Sequence, residues 1–156
     1  MNELQEAIFE VLKSIFKNNN LLNRFQKHEE YRGQKIIENS AIRYGILNYV
    51  AKYSLANDEY FITEKCFKYL NQLNLFSEKG LLRSKKGTKF KFTFEHPVPS
   101  NIIANLLLEN FNDENKLRDI LKETDIVTVL TYDEDKILNN SNLTSRMPSD
   151  WKIFKN

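Results

Sequence analysis

Residues 88–100 read TKFKFTFEHPVPS. Phe90, Phe92 and Phe94 alternate with Lys89, Lys91 and Thr93, which is the period of a strand with one buried face. The run ends on Glu95-His96. Pro97-Val98-Pro99 can continue neither a central strand nor a helix interior. Ser100 is placed to cap a helix running to about Phe111, with Ile102, Ile103, Leu106 and Leu107 inward. This strand-to-helix corner divides the chain. Helical periods dominate before it, and strand and helix alternate after it.

Upstream, Glu3 to Lys17 is amphipathic: Ala7, Ile8, Val11, Leu12, Ile15 and Phe16 recur at helical spacing. Asn18-Asn19-Asn20 stops that helix. A second helical stretch is expected from near Leu21, kinked about Tyr31-Arg32-Gly33. The apolar set Ile37, Ala41, Tyr44, Leu47, Tyr49 and Val50 keeps a helical period from Gln34 to Tyr53. Thr63 can cap a third helix carrying Cys66, Phe67, Leu70 and Leu73.

Downstream, Asp113 to Glu123 is a short helix. Ile126 to Thr131, IVTVLT, is rich in β-branched residues and reads as a second strand. Thr131 and Glu134 have capping-box spacing and open a helix over Asp133 to Leu138. The polar tail from Asn139 to Asn156 reads as loop, pinned by Trp151 and Phe154. The expectation is an α+β fold. Residues 1–76 form a helical region and residues 77–156 a strand–helix unit, both within one compact domain.

Composition narrows the function classes. The chain has 156 residues, 41% of them hydrophobic, enough for a core without staples. Four Gly and three Pro exclude collagen, linker and Gly-loop nucleotide-binding readings. One Cys and two His exclude an internal disulfide and a self-contained structural zinc site. No apolar run approaches the roughly 18 residues of a membrane span. The first residues, MNELQEAIFEVL, carry acids where a signal peptide needs bases, so a cytoplasmic location without membrane contact is expected.

The net charge of +2 conceals an asymmetry: Met1–Phe94 carries a net +6 and Glu95–Asn156 a net −4. Lys79, Arg83, Lys85, Lys86, Lys89 and Lys91 form a run without an acid, and Gly87 can turn it into a hairpin. Such a hairpin suits phosphate contact. A Lys-blocked sheet edge is the plain alternative. His28 reads as a surface residue of a helix, and Cys66 as a buried apolar residue.

The chemistry concentrates at Glu95-His96-Pro97-Val98-Pro99. A carboxylate can hold a hard cation. An imidazole of near-neutral pKa can activate water. The following helix N-terminus favours an anion.

This motif, Glu-His-x-x-Pro between a strand and a helix, resembles the first motif of the HNH (ββα-metal) endonucleases. Val129-Leu130-Thr131 resembles the end of that family's returning strand. Asp133, Asp135 and Asn139 fall where its last metal ligand lies. The likeness covers about residues 90–140. It implies a small ββα-metal unit in which Glu95 and one of Asp133, Asp135 and Asn139 hold Mg²⁺ or Mn²⁺, and His96 is the base. It implies a nuclease of restriction or mobile-element type, acting on nucleic acid, DNA first, and able to cut as a homodimer. Arg83, Lys85, Lys86, Lys89 and Lys91 would hold the strand. The chain departs from the pattern in two places. Two helices separate the motif pieces, and Asp125, Val127 and Thr128 stand where the family carries a middle Asn.

A second reading is non-enzymatic: a phage or mobile-element inhibitor whose partner is a host nuclease, or a winged-helix-like DNA-binding regulator built on helix 63–74 and the basic hairpin. Metal binding at Glu95 separates the two.

Overall fold

The computed structural model describes residues 1–18, 28–31, 34–37, 40–77, 80–81, 92–143, 147 and 151. Along the chain run α1 (Glu3–Phe16), β1 (His28–Tyr31), β2 (Gln34–Ile37), α2 (Ser40–Leu55), β3 (Phe61–Ile62) and α3 (Glu64–Gln72). Then come β4 (Phe76–Ser77), β5 (Gly80–Leu81), β6 (Phe92–Glu95), α4 (Ser100–Glu109), α5 (Glu114–Glu123), β7 (Thr128–Thr131) and α6 (Tyr132–Asn140). The fold is mixed α+β, with six helices and a three-stranded sheet among the described residues. No described helix is long and apolar enough to cross a membrane.

Four helices make one core. Phe9, Leu12 and Phe16 of α1 and Ile46, Val50 and Tyr53 of α2 are buried at spacings of three and four, one stripe per helix. Ile103, Ala104 and Leu107 of α4 and Leu117, Ile120 and Leu121 of α5 complete the cluster. It therefore draws on residues from both sides of position 76. Half-buried Met147 and Trp151 pack against it from the tail. Phe154 lies outside the described residues.

Polar contacts tie these helices at their surface. The Arg118 guanidinium on α5 lies over the Phe9 ring, 4.0 Å from its centroid. It donates to both oxygens of Glu6 on α1, at 2.8 and 2.6 Å, the bidentate geometry that arginine favours.

The sheet has the order β3-β7-β6. β6 pairs antiparallel with β7, Phe92 opposite Thr131 and Glu95 opposite Thr128. β3 pairs parallel with β7, Phe61 opposite Thr128. Alternation gives the sheet two unlike faces. Ile62, Phe92, Phe94 and Val129 lie against Cys66 and Leu70 of α3 in a second buried cluster. Burial pushes the Cys66 thiol up to about 11, consistent with a packing role. Glu95, Thr128 and Leu130 face the other way.

Several local expectations hold. Thr63 caps α3, its side chain accepting from the Cys66 amide. Thr131 with Glu134 forms a complete capping box on α6, while Asp113, expected as the first residue of its helix, instead caps α5. Others need correction. Residues 28–31 and 34–37 form an antiparallel strand pair, Tyr31 opposite Gln34 and His28 opposite Ile37, where the helical period predicts a kinked helix. Ile37 sits four residues before Ala41, so counting alone extends the helix of Ser40–Leu55 backwards. His28 accordingly lies on a strand, not a helix. Ser100 is the first residue of α4. Pro99 holds the cap position and makes no side-chain cap bond, as a proline has no side-chain acceptor. The helix after β7 extends to Asn140, beyond Leu138.

A polar knot joins the N-terminus to the loop before β7. Asn2 caps α1 in a capping box with Gln5. The buried Gln5 amide donates to the Tyr53 carbonyl at 3.4 Å and to Asp125 Oδ2 at 2.6 Å. Asp125 Oδ1 and the Tyr53 hydroxyl are buried without a hydrogen-bond partner among the described residues. Burial raises the Asp125 carboxyl, against the lowering effect of Gln5 and Asn57. A raised acid weakens the fold as pH climbs through the window above its ordinary value of 3.8, because the unfolded chain ionises first. Asp125→Asn should therefore raise the melting temperature at pH 7, with the gain vanishing toward pH 4. A thermal melt in which the variant is less stable at pH 7 would show that the charge is needed.

Candidate functional site

Glu95 is the last residue of β6, opposite Thr128 of the central strand. Alternation turns it away from Phe92 and Phe94, toward α6. β6, β7 and α6 thus stack as two antiparallel strands and a helix, and α6 contacts both strands. Helices α4 and α5 occupy the connection between the two strands.

Glu95 is half-buried. Burial raises its carboxyl, and the negative charge of Asp135 on α6 raises it further. Residues that are 40 apart in sequence are thus brought within electrostatic reach. Asn139, one turn along α6, donates from Nδ2 to the Asp135 carbonyl at 3.0 Å and to its carboxylate Oδ2 at 3.1 Å. This amide holds the carboxylate in place. Asp133 is exposed in the first turn.

His96 is half-buried, with Nε2 3.4 Å from the Ala51 carbonyl of α2. A carbonyl only accepts, so Nε2 carries the hydrogen and the neutral ring keeps its lone pair on Nδ1. Burial lowers the His96 pKa, against the raising effect of the Ala51 bond. The ring is therefore neutral at physiological pH, with its tautomer set by the α2 backbone.

Beside these groups lies a cavity of about 460 Å³. Thr128 and Leu130 of β7, Pro97, and Ile137 and Leu138 of α6 form its walls, with Leu143 and Met147 beyond α6. Glu95, His96, Thr63 and Glu134 supply its polar edge. Among the described residues that line it, none is Lys or Arg.

Glu134 has a different task from its acidic neighbours. Its Oε2 accepts from the Thr63 hydroxyl at 2.9 Å, the Thr131 amide at 2.9 Å and the Thr131 hydroxyl at 2.8 Å. Burial pushes this carboxyl up, but the Thr131 and Thr63 bonds and the charge of Lys65 bring it net below its ordinary value. It locks the N-terminus of α6 to that of α3.

The residues expected to act together divide into three groups. Glu95, His96, Asp135 and Asn139 lie around one end of the β6–β7–α6 unit. Asp133 faces solvent. Arg83, Lys85, Lys86, Lys89 and Lys91 lie outside the described residues, as does Gly87. Leu81 belongs to β5, which pairs with β4 through Phe76 opposite Leu81. Among the described residues no group of three or more His, Cys, Asp and Glu side chains is arranged to hold a metal. Two carboxylates and an amide suit a hydrated hard cation, which keeps most of its water and takes one or two carboxylates. They do not suit a fully protein-ligated ion or zinc.

Sequence reading missed the cavity. Its walls come from β7, α6 and the tail, and no local period marks positions that meet only in the fold. The Glu134 lock was half visible, since its spacing from Thr131 announces a capping box. The Thr63 contact had no sequence signal. No protein-family model, curated protein or solved structure matches this chain.

Proposed function

We propose that this protein is a metal-dependent phosphodiesterase acting on nucleic acid, an HNH-like endonuclease of restriction or mobile-element type. The carrying observation is the His96 arrangement: a ring held neutral by burial, with its tautomer set by Ala51, beside a Glu95–Asp135 carboxylate pair. The Nδ1 lone pair of His96 takes the proton of the attacking water. Glu95 and Asp135 would hold a hydrated Mg²⁺ or Mn²⁺, and Asn139 steadies Asp135. Asp133 stays available as an outer ligand. A cation held there would supply charge neutralisation at the phosphodiester and its leaving oxygen. The basic stretch containing Arg83, Lys85, Lys86, Lys89 and Lys91 supplies the phosphate contacts, DNA being the first substrate to try. A homodimer in the cytoplasm fits such an activity on symmetric duplex sites.

The test uses the full chain with supercoiled plasmid, single-stranded DNA and RNA, in Mg²⁺, Mn²⁺ or EDTA. Metal-dependent cleavage is expected, reduced about 10²–10⁴-fold in His96→Ala. Mn²⁺ binding, read by calorimetry, should survive in His96→Ala and fall in Glu95→Gln and Asp135→Asn. The His96 base form lies above a lowered pKa, so the acid limb of the cleavage profile should fall below the ordinary histidine value of 6.5. No cleavage on any substrate, together with no Mn²⁺ binding, would sink the proposal.

One observation favours the second, non-catalytic reading. The described residues that line the cavity are mainly aliphatic and include no Lys or Arg, as in a surface that receives an apolar group of a partner. A protein that binds a host nuclease or DNA and cuts nothing, with Glu95→Gln and His96→Ala neutral for that binding, would establish it.

A further inference from the structure

We infer that the cavity beside Glu95 and His96 receives an unpaired nucleobase, so that the preferred substrate is single-stranded or locally frayed nucleic acid rather than intact duplex. The inference rests on the nuclease reading above. The volume, about 460 Å³, falls in the range of small-molecule pockets, about 300–1,000 Å³. Its walls, chiefly Leu130, Ile137, Leu138 and Leu143, are aliphatic.

Charge decides which part of a nucleotide can enter. A phosphate inside would meet Glu95 with no Lys or Arg among the described lining residues, and Asp135 stands close enough to act on Glu95. An ion moved into such a chamber loses its hydration without a counter-charge. A neutral, flat base loses little and gains contact with the aliphatic walls. Glu95 and His96 lie on its polar edge, able to meet the hydrogen-bonding edge of a base. The phosphate then stays outside, next to the carboxylate pair. A base paired in a duplex cannot reach the cavity without leaving its stack, whereas an unpaired one enters at little cost.

Ile137 is 63% exposed at the mouth, so Ile137→Trp can obstruct entry without disturbing the core. The probe is an oligonucleotide with one 2-aminopurine, in deoxy and ribo forms, single-stranded or annealed, titrated with the full chain in EDTA. The single strand should bind about ten- to a hundredfold tighter than the duplex, with a rise in 2-aminopurine emission. Ile137→Trp should remove that margin while its melting temperature and Mn²⁺ binding stay unchanged. The deoxy and ribo arms tell which sugar is accepted.

Equal affinity for single strand and duplex, or an unaffected Ile137→Trp, overturns the inference. If plasmid cleavage and Mn²⁺ binding persist in that case, the nuclease reading stands and only the base pocket fails. If no nucleic acid is bound and no Mn²⁺ is taken up, both fail.

Discussion

Leu107→Ala is expected to lower stability by about 2–5 kcal/mol, the largest effect of any single truncation considered in this chain. Leu107 is fully buried in α4, within the cluster formed by α1, α2, α4 and α5. Removing it takes away the transfer free energy of the lost carbons and leaves a cavity that rigid helices cannot close. At roughly 2–4 °C per kcal/mol for a chain of this size, the melting temperature should fall by about 4–20 °C. Its neighbour Leu106, only partly buried against the same cluster, should cost less when truncated. Thermal or urea melts of the two variants compare them directly. Equal losses would mean that α4 does not present Leu107 to the centre of the core.

The second large effect is at Glu134. Its Oε2 is the common acceptor for the Thr63 hydroxyl and for the amide and hydroxyl of Thr131. Thr131 is buried, so Glu134→Ala leaves donors in a region that water reaches poorly. A loss of about 2–3 kcal/mol is expected, since hydrogen bonds to a charged group contribute about 1.5–3. Glu134→Gln keeps an acceptor oxygen and should lose about 1 kcal/mol. The pH dependence gives a second check. The folded pKa lies below the ordinary 4.5. The charge therefore contributes its full stability above 4.5 and loses it as pH falls through the folded value. The gap between the native chain and Glu134→Gln should be constant from pH 8 to 5 and narrow below 4.5. A gap that is the same at pH 3 as at pH 7 would show that the carboxylate charge plays no part in the lock. Because the lock also orients α6, the proposed metal site gives a further check: under that reading Glu134→Ala should weaken Mn²⁺ binding more than Glu134→Gln does.

Elements with strong local signals were legible residue by residue. Leu12 and Phe16 of the first helix, the Thr63 cap and the capping box at Thr131 and Glu134 appear as the sequence predicts, whereas Phe9 completes the buried stripe and the expected Ala7 and Val11 are exposed. Each depends on contacts within one or two turns, which a short window contains. The β1–β2 pair was not legible. Ile37 fits the helical count of the element that follows it, and the pairing of His28 with Ile37 spans ten positions. β3 has only two residues, Phe61 and Ile62, and pairs with a strand more than sixty residues later. No window of ordinary length holds both partners.

The site divides in the same way. The amino-acid order by itself placed Glu95 and His96 at a strand end, before two prolines and a helix, and put acids into the first turn of the helix after Thr131. These follow from side-chain alternation, missing amide donors and capping, all of which act between near neighbours. Tertiary structure alone decided which acids meet. Asp135 acts on Glu95, whereas Glu134 is consumed by two threonines and Asp133 faces solvent. It also decided the tautomer of His96, through a carbonyl on α2, and the aliphatic walls of the cavity. The reason is physical: burial, electrostatic proximity and the closing of a cavity depend on distances through space, and chain separation does not encode them.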